Sequence, residues 1–271
     1  MSELPVRPPA VAGQFYPGEA DTLRKMIQGY LDEATVPKGL GPVRAIIAPH
    51  AGYIYSGPTA GYAFNALKTK ALAALPHKSW TVFLLGPAHR AYFRGVALGN
   101  HSAFRTPLGN VPIAVDRVAE MLARSPLYTS APEAHAPEHC LEVQVPFLQM
   151  TLPDFRLVPM LFGDVDPREV SAELVDHIGG DDLILVSSDL SHFYPYARAQ
   201  QLDHALLEAL MADDEMGVLR GEACGRAPIV TLMGIARRKG WEPHLLDYRN
   251  SGDTAGDKWQ VVGYASVAYT G

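Results

Sequence analysis

Arg44 to Gly57 reads RAIIAPHAGYIYSG. An apolar run, Ala45-Ile46-Ile47-Ala48, stops at Pro49, and His50 follows at once. A short apolar run bounded by Pro and Gly is the pattern of a buried strand. In a parallel sheet the carboxyl ends of the strands open into a crevice where ligands bind. The pattern therefore predicts His50 at a strand tip facing a pocket. Two later stretches repeat it. VFLLGPAH ends at His89, and LILVSSDLSH carries Asp189 and His192. Three apolar strands, each ending in a side chain able to bind metal, predict one convergent site.

Outward from these strands the pattern alternates between helix and strand. Leu23, Met26, Ile27, Tyr30 and Leu31 fall at helical spacing over 19–34. A helix is expected from Pro58, as a first-turn residue, to about Leu67. Further strands are expected at 80–85, 95–98, 156–162 and 183–187, and helices at 116–124, 167–178, 199–211 and 228–239. Residues 141–148 read as helix or buried turn, and QVVGYASVAYT near the C-terminus as a strand. Ser102–Val115 predicts an edge β-hairpin turning at Gly-Asn. Phe15-Tyr16-Pro17 predicts an ordered loop packed on the body. The expected class is α/β: a single domain over 1–271, with a mainly parallel central sheet flanked by helices.

Composition narrows the function. The chain has 271 residues, 48% hydrophobic and 19% charged, with net charge −6. That is globular, and no basic block marks a nucleic-acid surface. No run approaches the roughly 18 apolar residues of a membrane span. MSELPVRPPAVAG lacks the apolar core of a signal peptide, so the expected location is cytoplasmic. In a reducing compartment Cys140 and Cys224 are expected as free thiols.

The polar motifs carry the chemistry. Two histidines and a carboxylate with open positions suit non-haem Fe(II), and His and carboxylate also serve Zn. Any one of Asp189, Ser188 or Ser191 could instead be a helix cap. On a helix, His139 and Glu142 would share a face, with His139 as acid/base. Cys224, just before a helix, is expected to have a lowered thiol pKa, to bind metal or act as nucleophile. Tyr53, Tyr55, Tyr194 and Tyr196 flank the tips as pocket lining or as packing. His77, His101, His135, His177, His204 and His244 lack such context and are expected to be structural or on the surface.

Seven motifs in order, AGQFYPG, IIAPHAGYIYSG, LLGPAHR, FRTPLG, EHCLEVQVPFLQ, VSSDLSHF and CGRAPI, resemble the Memo family, also called AmmeMemoRadiSam system protein B. Cys140 stands where that family's pattern EHSLE has Ser. The family is similar in fold to class III extradiol dioxygenases, which use non-haem Fe(II) to cleave catechol rings. The resemblance implies metal ligands at His50, His89 and Cys224, with Asp189 and His192 bordering the pocket. Fe(II) is the implied metal, with Cu or Zn as alternatives. The ligand Cys in place of a carboxylate argues against ring cleavage. Animal members resemble a metal-binding signalling protein that recognises phosphotyrosine peptides. Microbial members are associated with radical-SAM and AMMECR1-type proteins. Two function classes follow: a metal-dependent redox enzyme with His192, Asp189 and His139 in its chemistry, and a metal- or peptide-binding protein without turnover.

Overall fold

The computed structural model describes residues 4–71 and 79–271; His77 lies outside them. Among the described residues there are twelve strands in chain order: β1 Val6–Arg7, β2 Val43–Ala48, β3 Trp80–Pro87, β4 Val96–Leu98, β5 Ala103–Thr106, β6 Gly109–Pro112, β7 Tyr128–Ser130, β8 Phe155–Phe162, β9 Asp182–Ser187, β10 His192–Tyr194, β11 Glu242–Asn250 and β12 Val261–Thr270. Nine of them form one sheet, in the order β10-β12-β2-β9-β3-β8-β4-β7 with β11 along β12. The neighbours β2, β9, β3 and β8 are parallel. Residues on both of their faces are buried, as expected of a parallel layer covered by helices.

The expected mainly parallel sheet is corrected to a mixed one. β12 pairs antiparallel with β2, β10 and β11, and β4 pairs antiparallel with β8. β11 escaped the sequence pattern because EPHLLDYRN does not alternate. Its Pro243 is tolerated on a strand that pairs on one side. A second sheet, β1-β5-β6, contains the expected hairpin. Thr106 pairs with Gly109, so the turn is Pro107-Leu108 and not Gly-Asn. Gly109 enters β6 at φ 122°, a conformation open to glycine.

Helices cover the sheet at Ala20–Glu33, Tyr53–Ala66, Val115–Arg124, Pro167–Leu174, Tyr196–Met211 and Arg226–Lys239. The helix after His50 starts at Tyr53 rather than Pro58, leaving Pro58 inside it. Tyr53 N donates to Phe15 O at 2.7 Å, which fixes the earlier start. Among the described residues no helix is long and apolar enough to cross a membrane.

Strand register levels the tips. Ala48 pairs with Ser187, and Leu85 with Val186, so Gly86 stands abreast of Ser187. His50 and Asp189 lie two residues beyond this line and His89 three.

One buried ion pair ties the N-terminal arm to this end. Arg7 Nη1 meets Glu142 Oε2 at 2.7 Å, both side chains 1% exposed. Arg7 also donates to the carbonyls of His135 and Glu138. Glu142 accepts from Ala10 N, Val11 N and the Tyr16 hydroxyl. The AGQFYPG loop is thus ordered on the body, as its aromatics suggested. Removing one partner of a buried pair strands the other charge, so Arg7→Met is expected to cost about 3–5 kcal/mol. Adding Glu142→Gln removes that charge, keeps an acceptor and should recover part of the loss. Urea denaturation of the three proteins checks this; equal midpoints for wild type and Arg7→Met would contradict it.

Candidate metal centre

His50, His89 and Cys224 come together at the strand tips: one ligand atom from each lies within 4.8 Å of the others. Cys224 Sγ is 3.3 Å from His50 Nε2. His50 is buried, while His89 faces the opening. Burial lowers the His50 pKa to about 4, so its ring is neutral at ordinary pH.

Cys224 sits two residues before the helix Arg226–Lys239. Gly225 lets it approach the 187–189 turn: Gly225 N donates to Ser188 Oγ, and a Cβ at 225 would meet Ser188 Cβ at 2.6 Å. Cys224 Sγ accepts from Asp189 N at 3.3 Å. The expected low thiol pKa is corrected. Burial, then the Asp189 carboxylate, push it up to about 12, outweighing the hydrogen bonds that lower it.

Asp189 is buried, not at a rim. Its Oδ1 accepts from His50 N at 2.7 Å, and its Oδ2 is 3.9 Å from His50 Nε2. His139 belongs to the cluster rather than to a helix face shared with Glu142. Its ring centroid lies 4.9 Å from His89, 5.5 Å from His50 and 4.9 Å from Phe15. Glu142 is held by Arg7 and Tyr16, and the helical turn begins only at Glu142. His192 stands apart: half-buried on β10, its ring against Phe193 at 5.8 Å. Among the described residues it makes no hydrogen bond or ring contact with the cluster.

Glu138 is the residue whose importance the sequence understated. It is 2% exposed. Its Oε2 accepts from His89 N at 2.6 Å, and its Oε1 accepts from His139 N and Cys140 N and meets His89 Nδ1 at 3.0 Å. Burial pushes its pKa up, yet hydrogen bonds from His139 and His89 hold it far below the usual carboxylate range. The pair Glu138-His139 was visible, but not that the acid orients His89. Ser187 and Gln144 gave no sequence signal beyond their place in motifs. Both cysteines are free. Cys140 is buried, with Sγ 3.1 Å from Pro87 O. His101, His135 and His177 are buried and structural.

The fold and the site together define an α/β protein with a mixed sheet and a His/His/Cys cluster at its strand tips. The family model for Memo-like protein matches residues 7–268, and the chain belongs to that family. It is 36% identical over 284 residues to a MEMO1 family protein of Methanopyrus kandleri, covering 97% of this chain and 98% of that one. It is also 36% identical to a MEMO1 family protein of Archaeoglobus fulgidus, covering 97% and 99%. A crystal structure of an uncharacterized protein from Escherichia coli K12 shares the fold, with TM-score 0.54 and 16% identity over 84% of this chain and 100% of that one.

Acid should loosen the metal-free protein. His50 and His135 both have folded pKa values lowered by burial to about 4, against an ordinary 6.5. The unfolded chain therefore takes up their protons first as pH falls. Stability present above about 6.5 is lost toward pH 4, up to about 3 kcal/mol per residue. Urea midpoints should drop between pH 7 and pH 5, and His135→Gln should remove about half of the drop. A flat profile would contradict this.

Proposed function

We propose that His50, His89 and Cys224 hold a divalent first-row metal, Fe(II) in the working protein, and that the protein performs non-haem iron redox chemistry at the strand tips. The observation that carries this reading is the approach of two imidazoles and a thiol to within 4.8 Å. Among the described residues no Lys or Arg bonds to any of the three. Nitrogen and sulfur donors suit Fe(II), Zn or Cu better than Mg or Ca, so the residues fit the ion. When bound, such an ion supplies a redox-active centre with positions open to outside ligands.

The chain's own groups have separable tasks. Glu138 orients His89, and Asp189 places negative charge beside His50. Phe15 and the His139 ring wall one side of the cluster. His192, outside the ligand set, is left for proton transfer at its ring. Beside it Phe193 has φ 62°, a strained backbone of the kind held at functional sites. The likeness to class III extradiol dioxygenases is part of the same proposal, with the Cys ligand arguing against ring cleavage.

One observation favours a second reading, a metal- or peptide-binding protein without turnover that works with radical-SAM or AMMECR1-type partners. Tyr92, Phe193 and Trp259 are 85%, 66% and 83% exposed, Phe193 on β10 and the other two in loops. Large exposed aromatic groups of this kind suit contact with another molecule.

Anaerobic Fe(II) titration, followed by oxygen uptake of the loaded protein on admitting air, tests both readings. Wild type is expected to bind at micromolar protein. Cys224→Ser should weaken Fe(II) at least about tenfold while leaving Mg(II) unchanged. His192→Ala should keep the metal and slow oxygen consumption. The thiol proton must leave when metal enters, so affinity should rise about tenfold per pH unit between pH 7 and 8 in wild type and lose that slope in Cys224→Ser. Equal Fe(II) affinity in both proteins would remove Cys224 from the ligand set. Metal binding with no oxygen consumption would favour the second reading.

A further inference from the structure

Ser187 ends β9 and is wholly buried. Its Oγ has three polar neighbours: Cys140 O at 2.6 Å, Gln144 Nε2 at 2.8 Å and His50 Nδ1 at 2.9 Å. A hydroxyl has one proton and two lone pairs. The Cys140 carbonyl can only accept, so it takes the Ser187 proton. The orientation of the Gln144 amide is fixed by its other partners: Nε2 lies 2.9 Å from Pro49 O and 3.4 Å from Ala48 O, both acceptors. Gln144 therefore donates to Ser187. What remains facing His50 is a lone pair, so His50 Nδ1 must bring its own proton. In the neutral ring the free lone pair is then on Nε2, the atom 3.3 Å from Cys224 Sγ.

His89 is fixed the same way from the other side. Three backbone N–H groups, of His89, His139 and Cys140, already donate to the Glu138 carboxylate. A carboxylate so surrounded has only lone pairs to offer His89 Nδ1 at 3.0 Å. In its neutral form His89 therefore also carries its proton on Nδ1 and leaves Nε2 free.

We infer that Ser187 and Glu138 are positioning residues that lock His50 and His89 in the Nδ1–H form, and that Gln144, which touches neither histidine, sets the direction of the Ser187 hydrogen bonds. The two imidazoles are thereby ready, before any metal arrives, for a divalent ion that takes two nitrogens and one sulfur. Without the lock, a neutral His50 can move its proton to Nε2 and donate it to Cys224 Sγ, closing the site on itself. The consequence for metal rests on the function proposed above; the tautomers do not.

Nitrogen-15 NMR of the metal-free protein, labelled at histidine, reads the tautomers directly. The expected wild-type spectrum has Nδ1–H at both His50 and His89. Nε2–H at either would overturn the lock, and this wild-type measurement decides the matter even if a variant fails to fold. Ser187→Ala should release the His50 tautomer and leave His89 unchanged, and Glu138→Gln should do the reverse. An unchanged His50 in Ser187→Ala would remove Ser187 from the role. Co(II) is the metal probe. Each variant should bind it about ten- to a hundredfold more weakly than wild type, yet show the thiolate-to-Co(II) absorption at saturation, because Cys224 is intact. Nδ1–H at both histidines with no Co(II) binding by wild type would refute the metal reading and support the lock. Tight Co(II) binding with Nε2–H at His50 would do the opposite.

Discussion

The buried Arg7–Glu142 pair is the constraint on which the site end depends. Taking both charges out of water is costly unless every donor and acceptor is satisfied. Here they are: the guanidinium spends its remaining donors on the carbonyls of Pro8, His135, Ala136 and Glu138, and the carboxylate gathers two amides and a phenol from the N-terminal arm. The arm and the loop are held in one arrangement as a result. Glu138 lies on that loop, so a contact made in the second strand residue of the chain determines where the orienting acid of His89 stands. The Phe15 ring, carried by the same arm, reaches His139 for the same reason.

Charge is distributed around the cluster with some economy. Two of the three proposed ligands are neutral without metal, because burial lowers His50 and raises Cys224. The nearby anions, Glu138 and Asp189, each accept from backbone amides and so tolerate burial. An arriving cation would thus meet negative charge one layer out, and would bring the charge that makes a thiolate acceptable there.

Much of this was legible in the sequence, because the central strands are apolar on both faces and stop abruptly at Pro or Ser before a polar group. His50, His89 and Asp189 could be placed from that pattern alone; Cys224 stood out as a reactive thiol before a helix, and the family resemblance joined it to the two histidines as a ligand set. What was hidden depends on distant parts of the chain. The helix start at Tyr53 is set by the Phe15 carbonyl, which no local rule about Pro58 reveals. The Cys224 thiol looked acidic from its helix, but enclosure and a carboxylate from a turn 35 residues away prevail. β11 was missed because its register comes from β12, not from its own pattern. Ser187 reads as an ordinary strand end until Gln144 and Cys140 are seen beside it.

β12 has a consequence for how the protein is made. The last strand of the chain pairs with β2, the first strand of the large sheet. On a ribosome, β2 emerges early and must wait with one edge unpaired while almost everything else is synthesised. An unpaired, apolar edge is a template for association with other chains. Cys224 likewise meets His50 across 174 residues. The nascent chain therefore passes through a long stage in which its parallel core can form but its border cannot. Chaperone demand and losses to aggregation should concentrate in that stage of synthesis.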